Sequence, residues 1–143
     1  MSSKRRKNNV LLNQMKDIYY HDKKGDEYLD WMGYQIDEEN TPSAHHIVKA
    51  STLKSSNIDD TATLENTAYL GVQSHAVLHY IEKFDKELYE AWNYVFLLIN
   101  RMKCYPIDDV WKIVFNLQEL TDKSIDEHLK MNNKKRGKEY VYK

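Results

Sequence analysis

The chain has 143 residues, the size of one domain, and its 41% hydrophobic and 12% aromatic content is enough to bury a core. The expectation from these values is one domain, neither a large multidomain enzyme nor a wholly disordered chain. Lys and Arg number 21 against 22 Asp and Glu, a net charge of −1, so no global field draws the protein to nucleic acid or anionic lipid and any such binding rests on local patches.

The first nine residues, MSSKRRKNN, read as a basic arm. No apolar run follows them and no stretch of 18 apolar residues occurs, so the expectation is a chain with neither a classical secretion signal nor a membrane span. Val10, Leu11, Met15, Ile18 and Tyr19 then recur at three- and four-residue spacing, as one face of a helix ending near Asp22–Gly25. Tyr28, Leu29, Trp31 and Met32 form a second apolar set closed by Gly33, and an acidic stretch leads to Thr41-Pro42-Ser43.

From Ser43 to Gly71 the pattern changes. His46, Ile47 and Val48 read as a short strand, residues 50–63 as a polar loop, and Thr67–Leu70 as a second strand. Ser74 can cap a helix that meets no Gly or Pro until about Lys103, with Leu78, Ile81, Leu88, Trp92, Val95, Ile99 and Met102 at helical spacing. Pro106, with Asp108 and Asp109 behind it, opens a further helix through Trp111, Val114, Phe115 and Leu117. Ser124-x-x-Glu127 reads as the capping box of a last short helix, and residues 132–143 as a solvated basic tail. The expected organisation is therefore an arm over 1–9, one domain over 10–131 and a tail over 132–143, in an α+β fold that is mostly helical.

Eight of the 21 basic residues stand in two runs, Lys4, Arg5, Arg6 and Lys7 at one end and Lys134, Lys135, Arg136 and Lys138 at the other. They are the candidate phosphate contacts. The single cysteine, Cys104, excludes an internal disulfide and a Cys-x-x-Cys zinc knuckle and reads as a buried or half-buried thiol. Trp31, Trp92 and Trp111 sit among apolar residues at helical spacing and read as core, whereas Tyr19-Tyr20 and Tyr140-Val141-Tyr142 are less periodic and available to face a nucleic acid.

Of the six histidines, four fall between residues 45 and 79. His75 and His79, four apart on a helix, share one face and suit two ligands of one metal ion. His45 and His46 are adjacent on a strand, so they point to opposite faces and one is free for another task. A neutral imidazole titrating near pH 6.5 suits the general base that activates water.

Taken together, Ser43-Ala44-His45-His46-Ile47-Val48-Lys49, Leu64-Glu65-Asn66-Thr67-Ala68-Tyr69-Leu70 and Ser74-His75-Ala76-Val77-Leu78-His79-Tyr80-Ile81-Glu82 resemble the HNH endonuclease motif, the ββα-metal or His-Me finger, in its short bacterial or phage-type form. The resemblance covers about residues 34–90, with the core at 43–90 between an N-terminal helical segment and C-terminal helices. It implies His46 as the general base, His45, His75 and His79 as ligands of one divalent ion (Mg²⁺ or Zn²⁺, with Mn²⁺ or Ni²⁺ as further candidates), and Asn66 as the brace that orients the base. An Asn side chain both donates and accepts, so it can bridge the two strands. The implied reaction is hydrolysis of a DNA phosphodiester to a 5′-phosphate and a 3′-hydroxyl, by a monomer or homodimer in the cytoplasm of a bacterial or phage-infected cell. The motif here carries no Arg to clamp the phosphate, and Lys49 and Lys54 stand as substitutes. Glu65 and Glu82 flank it as candidates to orient the imidazoles. The competing reading is a non-catalytic, zinc-stabilised module that binds nucleic acid.

Overall fold

The structure is a computed structural model that describes residues 3–21, 23, 28–48 and 62–141, with side chains described for 5–21, 23, 28–48 and 62–134. Helix α1 spans Ser3–Tyr19. Leu11, Met15 and Tyr19, each four residues from the next, form a buried stripe against the sheet, as the 3.6-residue period requires. The helix begins seven residues before Val10, so the run Lys4–Lys7 occupies its first turns and is not a separate arm. Tyr19 and Tyr20 are both 1% exposed and face the core, not a partner. Tyr19 donates its hydroxyl to the Asn100 carbonyl at 2.6 Å, and Tyr20 donates to the Leu29 carbonyl at 2.9 Å.

Residues 28–40 wrap around one carboxylate. Asp30, fully buried, accepts through Oδ1 from the Met32 and Tyr34 amides at 3.0 Å and through Oδ2 from the Gly71 amide at 2.9 Å and Asn40 Nδ2 at 3.4 Å. Gly33 turns the chain with φ +84°, and a Cβ there would meet Gln118 and Val114. The Trp31 amide donates to the Tyr69 carbonyl at 3.0 Å, which fastens this loop to the sheet.

The sheet has two antiparallel strands, β1 (Pro42–His46) and β2 (Thr67–Gly71), in the register Pro42↔Gly71 to His46↔Thr67. β1 thus ends at His46, where the sequence reading began it. Ile47 and Val48 leave the ladder because their backbone is bonded to Asn66 in the 3₁₀ turn Leu64–Asn66. Helix α2 (Val72–Glu82) follows β2 directly. Its cap comes from a distance: Asn40 Oδ1 accepts from the Gln73 amide at 2.9 Å and the Ser74 amide at 3.3 Å.

The single helix expected from Ser74 to Lys103 is two. Lys83–Asp85 separate α2 from α3 (Lys86–Met102). Asp85 caps α3 by accepting from the Leu88 amide at 3.2 Å and also accepts from Ser124 Oγ at 2.6 Å. The break needs no Gly or Pro because Asp competes for backbone amides and favours such positions. Helix α4 (Asp108–Val141) runs through Ser124 without interruption. The expected capping box there does not form, since the Ser124 hydroxyl is bound to Asp85, and the expected tail is helical to Val141. Cys104, between α3 and α4, is exposed and not buried.

The core lies where α1, the sheet, α2, α3 and α4 meet, and Trp31, Met32, Leu70, Leu78, Ile81, Trp92, Phe96, Ile99 and Val114 are fully buried in it. Trp111 is only partly buried. The fold is α+β and mostly helical, as the sequence predicts. None of the described helices is long and apolar enough to cross a membrane.

Candidate metal centre

His45 lies on β1 and points towards α2 and α3, where it is 1% exposed. His75 and His79 come from successive turns of α2. The register of the strand and the four-residue spacing on the helix bring three ring nitrogens together: His45 Nδ1 is 3.3 Å from His75 Nε2, and His79 Nε2 is 3.0 Å from the same atom. All three lie within 4.8 Å of one another, the one such His, Cys, Asp or Glu group among the described residues.

Each ring is held by its other nitrogen. His45 Nε2 is 2.8 Å from Asn93 Oδ1, His75 Nδ1 is 2.9 Å from Ser43 Oγ, and His79 Nδ1 is 3.0 Å from Glu82 Oε1. The acceptor oxygens of Asn93 and Glu82 place the N–H of His45 and His79 on the outer nitrogens, and the Ser43 hydroxyl, which can donate or accept, suits either tautomer of His75; with the His75 N–H on Nδ1 all three inner nitrogens carry lone pairs. Lone pairs facing one another at about 3 Å repel unless a proton or a cation lies between them.

Protonation is disfavoured at two of the three. Burial above all pushes His45 down to about 3, against the opposing hydrogen bond to Asn93, and neighbouring imidazoles lower it further. Burial, then the nearby His79 and His46, push His75 down to about 4. At neutral pH both rings are therefore unprotonated, with a lone pair available to a metal. The triad could hold a metal ion, and a donor set of three imidazoles suits Zn²⁺ or Ni²⁺ better than the oxygen-seeking Mg²⁺. His79 is 42% exposed in its side chain, so the site is walled on the His45 side and open on the His79 side.

The structure places the remaining predicted residues unevenly. His46 is half-buried at the end of β1, and a positive charge on it would lower both His45 and His75, which sets it within electrostatic reach of the triad. Asn66 receives the Val48 amide on Oδ1 at 2.9 Å and donates Nδ2 to the Val48 carbonyl at 3.0 Å, while the Ile47 amide donates to the Asn66 carbonyl at 2.9 Å. It thus clamps the two residues that follow His46. Arg5, Arg6 and Lys134 are exposed and Lys7 is half-buried. Lys49 and Lys54, and the side chains of Lys4, Lys135 and Arg136, lie outside the described residues.

Glu82 orients His79, whereas Glu65 is exposed on the 3₁₀ turn. His21 is exposed on the turn after α1, and His128 stacks on Phe84 at 3.9 Å, both apart from the triad. Sequence reasoning missed Ser43 and Asn93. A signal for Asn93 exists: it is the polar member of an otherwise aromatic helical row, four residues after Tyr89 and three before Phe96. Comparison with protein-family models, with curated proteins and with solved structures finds nothing that matches this chain.

Proposed function

We propose that this chain is an HNH-type endonuclease that hydrolyses DNA phosphodiester bonds with the help of one divalent metal ion. The observation that carries the reading is the convergence of the inner nitrogens of His45, His75 and His79, with His46 next to His45 in the sequence, in the order that the motif requires. Only three described residues supply ligand atoms, which leaves room for substrate oxygens, as catalytic metal sites do and closed four-ligand structural sites do not.

In this reading His45, His75 and His79 would hold the ion. A bound ion would supply positive charge where negative charge develops on the phosphate oxygens. His46 accepts the proton of a water whose oxygen attacks phosphorus, and the bond from phosphorus to the 3′ oxygen breaks. The products are a 5′-phosphate and a 3′-hydroxyl once a solvent water gives a proton to that oxygen, and His46 returns its own proton to solvent. Asn66 acts through the backbone, holding the strand end on which His46 sits.

The test is cleavage of supercoiled plasmid by the full chain, stripped of metal and supplied with Mg²⁺, Mn²⁺, Ni²⁺ or Zn²⁺, beside His46→Ala. Nicking or linearisation that needs the metal and is lost in His46→Ala, with metal binding retained, is the expected result. Tight zinc binding without cleavage under any metal would favour the non-catalytic module, and cleavage unchanged in His46→Ala would remove that residue from the chemistry.

A further inference from the structure

Helix α3 presents Tyr89, Asn93 and Phe96 to the centre, while Asn100, one turn on, donates Nδ2 to the Leu64 and Thr67 carbonyls at 2.8 and 2.9 Å. The aromatic members stand edge-on to His45, with ring centroids 6.3 Å away for Tyr89 and 5.7 Å for Phe96. Between them Asn93 points its amide at His45 Nε2, 2.8 Å away. The neighbouring Trp92, fully buried with Nε1 donating to Thr121 Oγ1 at 2.9 Å, locks the rotation of the helix that aims this amide.

We propose that Asn93 is a positioning residue that fixes the tautomer of His45 and thereby decides which nitrogen of that ring reaches a metal ion. The inference rests on the metal-site reading above. An amide oxygen can only accept, so it holds the imidazole N–H on Nε2 and leaves Nδ1 as the ligand atom. Were the amide nitrogen in its place, it would donate to Nε2, put the N–H on Nδ1 and aim that proton at His75 Nε2, 3.3 Å away. In that tautomer the ring would bond to His75 and could not bind a cation. His79 and Glu82 lie on α2 together, so their pairing is local to one helix. Asn93 instead reaches the β1 ligand from α3, and it makes the third helix part of the site.

Two measurements test this on the full chain, with Zn²⁺ as the probe. The first is a two-bond ¹H–¹⁵N correlation spectrum of the histidine rings, with and without zinc. His45 is expected as the Nε2–H tautomer in both states, with Nδ1 shifted on zinc addition, whereas His75 and His79 shift at Nε2. The second is competitive zinc affinity: Asn93→Leu, of similar size and without an acceptor, is expected to weaken binding about 10- to 100-fold, and Asn93→Asp, which keeps the acceptor, to restore it to within a few-fold. Circular dichroism and thermal unfolding in excess chelator serve as the control for folding. Zinc bound with His45 Nε2 as the ligand atom, or Asn93→Leu binding as the parent does, would overturn the role of Asn93 and leave the metal centre standing. A parent that binds no zinc would overturn both. Should Asn93→Leu fail to fold, the tautomer in the parent spectrum still decides.

Discussion

Replacing Asp30 by Ala isolates the part of the fold that holds α2 in place. The substitution removes the acceptor of the Met32, Tyr34 and Gly71 amides, and the Gly71 amide stands at the junction between β2 and α2. Each buried donor left without a partner costs about 1–3 kcal/mol. Against this, burial pushes the Asp30 carboxyl up from its ordinary value, so the ionised form is itself costly where it stands and its removal returns part of the loss. The net expectation is a loss of about 3–4 kcal/mol, a large share of the ~5–15 kcal/mol that holds a domain together. At roughly 3 °C per kcal/mol for a chain of this size, the melting temperature falls by about 10 °C. Asp30→Asn keeps one acceptor oxygen but sets an NH₂ group against another donor, and should cost about 2 kcal/mol. Urea unfolding followed by circular dichroism, in excess chelator so that metal binding adds nothing, measures both. A loss below about 1 kcal/mol in Asp30→Ala, or an Asn variant as unstable as the Ala variant, would refute the account of this carboxylate as the hub of the 28–40 loop.

Other expectations are as specific. His75→Ala should abolish tight metal binding, because His75 Nε2 is the atom that both other ligands face, yet change the stability of the chelated protein by less than the Asp30 variants do; calorimetric titration with Zn²⁺ and unfolding in chelator read the two. The chelated protein should lose stability as pH falls from about 6.5. The unfolded chain then binds protons that the folded His45 and His75, pushed down to about 3 and about 4, do not, at up to about 1.4 kcal/mol per pH unit for each ring; urea midpoints that stay flat from pH 7 to 5 would contradict this. Gly71→Ala should destabilise by more than 1 kcal/mol, since its Cβ would collide with the Asn40 side chain that caps α2; equal thermal stability of variant and parent would show that Asn40 can move aside.

The sequence made the site more legible than the scaffold. His75 and His79 could be put on one face from their spacing alone, and the adjacency of His45 and His46 on a strand already required them to do different things. The helix-rich class followed from the periodicity of Leu78 to Met102 and from the scarcity of Gly and Pro. What stayed hidden depends on contacts between distant residues. Asp85 caps α3 through one carboxylate oxygen and receives Ser124, on α4, on the other, and nothing within residues 74–103 announces that partner. Asn40 caps α2 from 33 residues away, so the helix started two residues ahead of the cap that local reading offered at Ser74. Tyr19 and Tyr20 looked available for stacking because two adjacent tyrosines break the helical period. In fact Tyr19 ends the α1 stripe and Tyr20 packs on Tyr69 with ring centroids 4.7 Å apart. Asn93 stands out as the polar member of an aromatic row, but its partner lies 48 residues earlier and could not be read locally.

The central claim is that His45, His75 and His79 form one metal centre with a defined set of ligand atoms. The most direct measurement is a crystal structure of the full chain grown with Zn²⁺, with anomalous difference maps calculated at the zinc absorption edge. The account predicts a single strong peak about 2.0–2.1 Å from His45 Nδ1, His75 Nε2 and His79 Nε2, with Asn93, Ser43 and Glu82 still on the outer nitrogens. An empty triad at saturating zinc, or an ion bound elsewhere in the chain, would contradict it.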